Sequence, residues 1–173
     1  MSVPTQFTPT QERKGTEYIP AMLAFIEKIG IPTRMEKIDS ETFVPGLKIE
    51  NGVLFIDMEK MLYPGDLLHE AGHIAVTPGN TRATFGQDIT EAGEEIVTLL
   101  WSYAALKEIG IPEEIVFHPM GYKGQSDWLI ENFRDANYIG LPLLEWMGLT
   151  ASEKKAKELN IPPFPNMIRW LRE

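Results

Sequence analysis

Two histidines inside an apolar segment constrain this chain more than any other feature. His69 and His73 lie four residues apart. The residues that flank them are apolar, namely Leu67, Leu68, Ile74, Ala75 and Val76. This pattern predicts a helix that is buried on most sides, in which residues four apart lie on one face, one turn from each other. Since buried imidazoles need a polar or metal partner, the fold must supply one beside this helix.

Together with Glu70, the two histidines form the motif H-E-x-x-H, an arrangement in which both imidazoles can bind one metal ion. Zinc favours nitrogen ligands in a tetrahedral set, and a catalytic zinc site leaves one position open for water. Glu70 lies next to His69, where its carboxylate could take a proton from that water. The alternative is a coincidental helix with two histidines facing solvent, which the apolar neighbours disfavour. The chain has no cysteines, so zinc here is more typical of a catalytic site than of a structural one.

Length and composition limit the remaining possibilities. The 173 residues, 43% of them hydrophobic, predict a single domain over residues 1–173, in which residues 1–10 form a loose arm. A net charge of −9 without a concentrated basic surface disfavours nucleic acid as a partner. No apolar run is long enough for a membrane helix, so no membrane partner is expected. The first residues lack the apolar core of a signal peptide, which indicates a cytoplasmic protein. The sequence leaves the number of subunits undetermined.

Local patterns predict an α+β fold in which a small antiparallel sheet packs on a mainly helical body. The sheet is a hairpin over residues 46–57, which turns at Asn51–Gly52. Asp66 is expected to cap the histidine helix, which Pro78 ends. Residues 113–124 are expected to be irregular. Further helices are predicted at residues 11–29, 90–108, 126–140, 141–146, 151–159 and 165–172.

A third metal ligand is needed, and the helix predicted at residues 90–108 offers carboxylates for it. Glu91 and Glu95 are four residues apart on one face, and Thr98 and Ser102 extend the same polar stripe. Glu94 is a further candidate. Such a stripe on an otherwise apolar helix either faces solvent or turns toward the metal. The two histidines favour the second interpretation, because their site still lacks a carboxylate.

These residues resemble the gluzincin clan of zincin metallopeptidases. In that clan a glutamate ligand follows H-E-x-x-H by about one helix, and an acidic residue four positions later supports a ligand histidine. The resemblance implies that Glu91 is the third ligand and that Glu95 holds a histidine in place. The spacing after the motif is short, which leaves Glu94 and Glu95 open as ligands. The continuation that metzincins require, H-x-x-G-x-x-H, is absent, since Val76 and Gly79 stand at its glycine and histidine positions.

A narrower resemblance covers residues 44–106. Two strands joined by a turn, a zinc helix and a glutamate-bearing helix look similar to the ImmA/IrrE group of small intracellular metallopeptidases. The chain departs from that group just before the motif, at residues 63–66. It also shows no helix-turn-helix segment that would join it to a DNA-binding partner domain.

The resemblance implies a zinc-dependent metallopeptidase that hydrolyses peptide bonds of a peptide or protein substrate, with Zn²⁺ as cofactor and Glu70 as general base. An oxyanion donor is also expected. His118 is the first candidate, because it is the third histidine and lies in a segment rich in glycine and proline. The other candidates are Tyr122, Arg134 and Tyr138. Two alternatives are a catalytically silent zincin-like domain that acts as a binding or regulatory module, and an interaction protein whose pentapeptide is fortuitous.

Overall fold

The computed structural model describes residues 13–86 and 92–173. Within these ranges the chain has an α+β fold with a small mixed sheet. The strands are β1 (Thr33–Met35), β2 (Leu47–Glu50) and β3 (Val53–Ile56). The helices are α1 (Ile19–Lys28), α2 (Asp66–Val76), α3 (Gly79–Arg82), α4 (Ala92–Ile109), α5 (Glu113–Val116), α6 (Ser126–Arg134), α7 (Leu141–Trp146) and α8 (Glu153–Leu159). No helix in this described part combines the length and the apolar character needed to cross a bilayer.

The predicted hairpin is confirmed, but the sheet is not purely antiparallel. β2 and β3 pair antiparallel, and the chain turns between them at Asn51 and Gly52, which both have positive φ. β1 lies on the other side of β3 and runs parallel to it, so β2 is an edge strand. The prediction of an antiparallel sheet was therefore wrong in this respect. A three-residue strand with mostly exposed side chains leaves no alternating pattern to recognise.

The helices follow the sequence pattern with two differences. The helix predicted over residues 126–140 ends at Arg134, since Ala136 takes a left-handed φ of 58°, and the chain becomes helical again only at Leu141. The segment 113–124, expected to be irregular, contains α5 and a short 3-10 turn. The expected arm and the expected starts of the helices at residues 11 and 90 lie outside the described residues.

The helix predicted at residues 165–172 is wrong, because this segment bonds to other elements instead of to itself. The Arg172 amide donates to the Ala75 carbonyl at 2.9 Å, and the Arg172 guanidinium donates to the Val76 carbonyl at 3.3 Å. The guanidinium of Arg82 adds two more bonds of this kind at the same end of α2. The last carbonyls of α2, which have no partner within the helix, are thus satisfied from elsewhere in the chain.

Helix α2 lies at the centre of the molecule. Every residue of this helix except Asp66 and His69 is buried. It packs against α1, α4, α5 and the sheet, and its apolar residues belong to the core of the described structure. The expectation of a histidine helix that is buried on most sides is therefore confirmed.

Gly72 sets how closely α4 approaches α2. A Cβ atom added at Gly72 would lie 3.0 Å from Cγ2 of Thr98 and 3.1 Å from Cε3 of Trp101. Both distances are shorter than ordinary van der Waals contact, so a larger residue would push the two helices apart. The glycine between the histidines therefore allows polar groups of α4 to reach the histidine face of α2.

A buried carboxylate fixes the start of the loop that joins β1 to β2. Asp57 is 4% exposed, and its oxygens accept hydrogen bonds from the backbone amides of Ile38 (2.9 Å), Glu59 (3.0 Å) and Lys60 (3.2 Å). The bond from Ile38 is the main cause that lowers the pKa of Asp57 below its ordinary value of 3.8, although burial opposes the change. The ionised carboxylate therefore stabilises the fold and anchors this loop.

We expect Asp57→Asn to lower the free energy of unfolding at pH 7 by about 1–3 kcal/mol, because the amide replaces one acceptor oxygen by a donor and at least one of the three backbone amides loses its acceptor. A carboxyl with a lower pKa in the folded protein stabilises it above the unfolded pKa, and this contribution is lost as the pH falls through the folded pKa. The difference between the two proteins should therefore shrink below about pH 4. Urea unfolding at pH 7 and pH 3 measures the difference in free energy of unfolding, and Asp39→Asn, at an exposed position, is the control. Equal stabilities at pH 7 would contradict the assignment.

Candidate metal centre

Three donor groups converge between α2 and α4. The Nε2 atoms of His69 and His73 lie 3.1 Å apart. One carboxylate oxygen of Glu95 lies 3.1 Å from Nε2 of His69, and the other lies 3.2 Å from Nε2 of His73. The two histidines come from successive turns of α2, and Glu95 comes from the first turn of α4.

The distances suit a cation better than hydrogen bonds. An imidazole Nε2 points one proton or one lone pair along a single direction, yet each Nε2 here faces both a carboxylate oxygen and another Nε2. Ligands about 2.0–2.1 Å from a tetrahedral zinc ion lie about 3.3 Å from one another. The observed separations of 3.1–3.2 Å are close to that value. Two imidazoles and one carboxylate are also a known ligand set for catalytic zinc.

The charges of the three groups are coupled. Burial would raise the pKa of Glu95, but its contacts with His69 and His73 lower this pKa far more, so the carboxylate stays ionised. Burial lowers the pKa of His69, but the contact with Glu95 and the negative charges of Glu95, Glu70 and Asp66 together raise this pKa above its ordinary value. The negative charge of Glu95 therefore attracts positive charge to the space between the imidazoles, whether a proton or a metal ion supplies it.

His73 is held by a polar partner on α4. Its Nδ1 atom lies 3.3 Å from Oγ1 of Thr98, which is fully buried. Ser102 donates its hydroxyl to the Thr98 carbonyl at 2.8 Å, one turn further along. With Nδ1 as the donor to Thr98, Nε2 of His73 carries the lone pair that a metal ligand needs. The polar stripe expected on this helix thus turns toward the histidines.

Glu70 lies beside the histidine nitrogens. Its side chain is buried, with 3% exposure, and a carboxylate oxygen lies within 4.8 Å of a ligand nitrogen of both His69 and His73. This group of three side chains could hold a metal ion. Glu95 lies closer to both imidazoles, so among the described residues it is the better candidate for the third ligand, and Glu70 is a candidate for a different role at the same centre.

The structure describes two of the three glutamates proposed as ligands, Glu94 and Glu95. Glu91 lies outside the described residues. Glu94 precedes Glu95 and is therefore turned by about 100° around the helix. Among the described residues, Glu95 lines the cleft in which the histidines lie, and Glu94 does not. Among the described glutamates of α4, Glu95 is thus the one that contacts both histidines, and the ligand role implied for Glu91 stays a prediction.

The candidate centre opens into a cleft of about 1190 Å³. Residues 40–45, residues 48–50 of β2, Tyr63, His118 and residues 120–123 are among those that line it. Two large apolar side chains at the cleft are strongly exposed, Phe43 at 97% and Met120 at 75%. A space of this size exceeds what most small-molecule pockets need.

His118 lies in the wall of this cleft, but its ring nitrogens are engaged or covered. Nε2 lies 2.8 Å from Oδ1 of Asp66, and the ring stacks on Tyr63 with centroids 4.1 Å apart. Nδ1 is buried and has no hydrogen-bond partner among the described residues. Contact with an oxyanion would first require the bond to Asp66 to open. Asp66 is the first residue of α2 and makes no cap hydrogen bond with its side chain, so the expectation of a cap was wrong.

The other three oxyanion candidates differ in position. Tyr122 lines the cleft, and its hydroxyl donates to the Val116 carbonyl at 3.0 Å. Burial raises the pKa of Tyr122 well above its ordinary value, so the hydroxyl keeps its proton. Arg134 is bound to Glu113, and Tyr138 packs against aromatic rings of the core. Neither of these two is among the described residues that line the cleft.

No protein-family model matches this sequence, and no curated protein or solved structure matches it. Interpretation of the centre therefore depends on its own geometry and chemistry.

We expect Glu95→Gln to weaken zinc binding by more than about 100-fold, which is the upper range for losing a group that only supports a ligand. The amide is isosteric but lacks the charge and one acceptor oxygen. Glu94→Gln, one position earlier, should bind zinc as the wild type does. Competition titration against a chromophoric chelator gives the dissociation constants. Wild-type affinity in Glu95→Gln, together with a loss in Glu91→Gln, would transfer the ligand role to Glu91.

Proposed function

We propose that this protein is a zinc-dependent metallopeptidase of the gluzincin type. The observation that supports the proposal most strongly is the convergence of His69, His73 and Glu95, with mutual donor distances of 3.1–3.2 Å, beside the carboxylate of Glu70. Two histidines, one carboxylate ligand and a neighbouring glutamate are the groups that zinc-assisted hydrolysis of an amide requires.

The chemistry divides between the ion and the protein. A zinc ion held by His69, His73 and Glu95 would polarise a carbonyl and lower the pKa of water toward about 7. Glu70 takes one proton from the attacking water as its oxygen adds to the peptide carbonyl carbon, and the same carboxyl then gives this proton to the leaving nitrogen as the C–N bond breaks. When Nδ1 of His73 donates to Oγ1 of Thr98, the lone pair of the imidazole lies on Nε2, where it is available to the ion.

The cleft supports a polypeptide as the substrate class. Its volume can hold several residues of an extended chain, and Phe43 and Met120 offer apolar surface at its edge. Two contacts anchor the loop that carries Phe43. The Ile38 amide donates a hydrogen bond to Asp57, and Val44 pairs with Leu47. An aromatic ring held exposed on an anchored loop is typical of a surface that contacts a ligand.

A second candidate function has one observation in its favour. His118 and Tyr122, the two predicted oxyanion donors in the cleft, both have a hydrogen bond within the protein, to Asp66 and Val116 respectively. A zincin-like domain without an oxyanion donor would hydrolyse peptides poorly and would serve instead as a metal-containing binding or regulatory module.

Glu70→Gln separates these two functions. If Glu70 is the general base, the variant keeps one zinc ion per chain but loses hydrolysis by about 10²–10⁴-fold, the usual contribution of such a group. The measurement is cleavage of a library of quenched fluorescent peptides, with zinc content by mass spectrometry. Glu59→Gln, at an exposed position outside the cleft, is the control. Equal rates for the wild type and Glu70→Gln on every peptide would leave only the binding module.

Phe43→Ser and Met120→Ser test the class of substrate. Each should raise the KM for peptides with bulky apolar side chains by roughly tenfold, because partial burial of a large apolar side chain is worth about 1.4 kcal/mol. Zinc content and kcat should stay close to wild type. Leu159→Ser, which removes a half-exposed apolar side chain outside the cleft, is the matched control. An unchanged KM in both cleft variants would rule out these side chains as substrate contacts.

A further inference from the structure

The two candidate ligand histidines are supported in different ways. Nδ1 of His73 has Thr98 as its partner at 3.3 Å. Nδ1 of His69 is buried and has no hydrogen-bond partner among the residues that the structure describes. A metal-bound histidine usually donates its second ring N–H to an acceptor, which fixes the orientation of the ring. Within residues 13–86 and 92–173, any group that orients His69 therefore acts otherwise than through such a bond.

Two aromatic rings contact the ring of His69 edge to face. The ring of Tyr122 meets it almost perpendicularly, at 84°, with centroids 5.7 Å apart. The ring of His73 meets it at 89°, with centroids 4.8 Å apart. Both pairs fall within the range in which edge-to-face contact of rings is favourable. Rotation of the His69 ring about its χ2 angle would disturb both contacts, so they restrict where its Nε2 atom points.

Tyr122 is itself held in place at some cost to the backbone. Its hydroxyl donates to the Val116 carbonyl, and its ring packs against Phe117 with centroids 5.4 Å apart. Tyr122, Lys123 and Gly124 have successive positive φ values of 56°, 53° and 76°. The first two are side-chain-bearing residues in a left-handed conformation, which is unfavourable for them and persists where the surroundings fix it. This turn directs the Tyr122 ring toward His69.

We propose that Tyr122 is a positioning residue for His69, and that it orients this metal ligand by ring packing where a hydrogen-bonded carboxylate or carbonyl would ordinarily act. The inference depends on the proposed zinc site. The earlier expectation for Tyr122 was that its hydroxyl would donate to an oxyanion, but this hydroxyl donates to the Val116 carbonyl. The role inferred here belongs to the ring of Tyr122, which contacts the His69 ring.

Zinc affinities of full-length variants test the role of the ring. Tyr122→Phe keeps the ring and should bind zinc within about threefold of wild type. Tyr122→Leu removes the ring and should weaken zinc binding by about 10–100-fold, the range for losing a group that orients a ligand. Tyr63→Leu is the matched control, because Tyr63 also lines the cleft but stacks on His118 instead of on a ligand histidine. It should leave zinc affinity unchanged.

A spectroscopic measurement separates positioning from simple destabilisation. Cobalt(II) replaces zinc, and its visible absorption reports ligand geometry. Tyr122→Leu should alter this spectrum at full cobalt loading, whereas Tyr122→Phe should not. Tyr122→Met, which keeps much of the volume without a planar ring, is the second variant in case Tyr122→Leu does not fold. Thermal unfolding of the metal-free proteins shows which variants are folded before metal is added.

The outcomes are distinguishable. Wild-type affinity and an unchanged cobalt spectrum in a folded Tyr122→Leu or Tyr122→Met would overturn the inference and leave the zinc site standing. Equal weakening in Tyr122→Phe and Tyr122→Leu would overturn it too, because the hydroxyl and not the ring would then be responsible. A wild-type protein that binds neither zinc nor cobalt would overturn the proposed function, and the inference with it.

Discussion

The close approach of α4 to α2 at Gly72 is the constraint on which the rest of the centre depends. The two histidines stand on one helix and Glu95 and Thr98 on the other, so the separation of the helices fixes every distance between their donor atoms. A single methyl group added at Gly72 would lie only 3.0–3.1 Å from side-chain atoms of Thr98 and Trp101. Helices carry all these groups, so the packing of the two helices determines how the groups face one another. Metal binding and catalysis require a site whose groups are held in a productive geometry.

The centre gathers several features that oppose folding. Four ionisable side chains lie together where two helices meet, and the Glu95 carboxylate and two imidazoles face one another. A left-handed turn at residues 122–124 adds unfavourable backbone geometry at the same cleft. Away from this cleft, the described core is made mainly of apolar side chains. Concentration of unfavourable features in one place is typical of a functional site, where the surrounding structure stabilises what the site itself does not.

Much of the architecture could be predicted from local patterns, because those patterns express local physics. The turn at Asn51–Gly52 needs positive φ at both residues, and the apolar residues around His69 and His73 require burial on most sides. The polar stripe that includes Glu95 and Thr98 follows from helix periodicity. These signals were sufficient to predict the hairpin, the buried helix and the stripe that faces it.

Other features depend on contacts between distant residues and leave no local signal. β1 is held by pairing with β3 and has no alternating pattern of its own. Asp66 suited a helix cap in the sequence, but the fold brings His118 to it, 52 positions away. Which glutamates near the start of α4 face the histidines depends on how this helix packs against α2, where Gly72 allows close approach of Thr98 and Trp101. Sequence spacing alone could therefore narrow the candidate for a third ligand to a short segment but not to one residue.

The bonds from Arg172 to the end of α2 have a consequence for the order of assembly. The carbonyl of Val76 receives its partner from a residue 96 positions later in the chain. Contacts of such long sequence separation form late, because the entropy of closing the loop must be overcome before they contribute. During synthesis, the histidine helix would leave the ribosome long before the residues that complete its C-terminal end. A nascent chain would therefore carry this helix without its final hydrogen bonds until Arg172 has been made and has reached the end of α2.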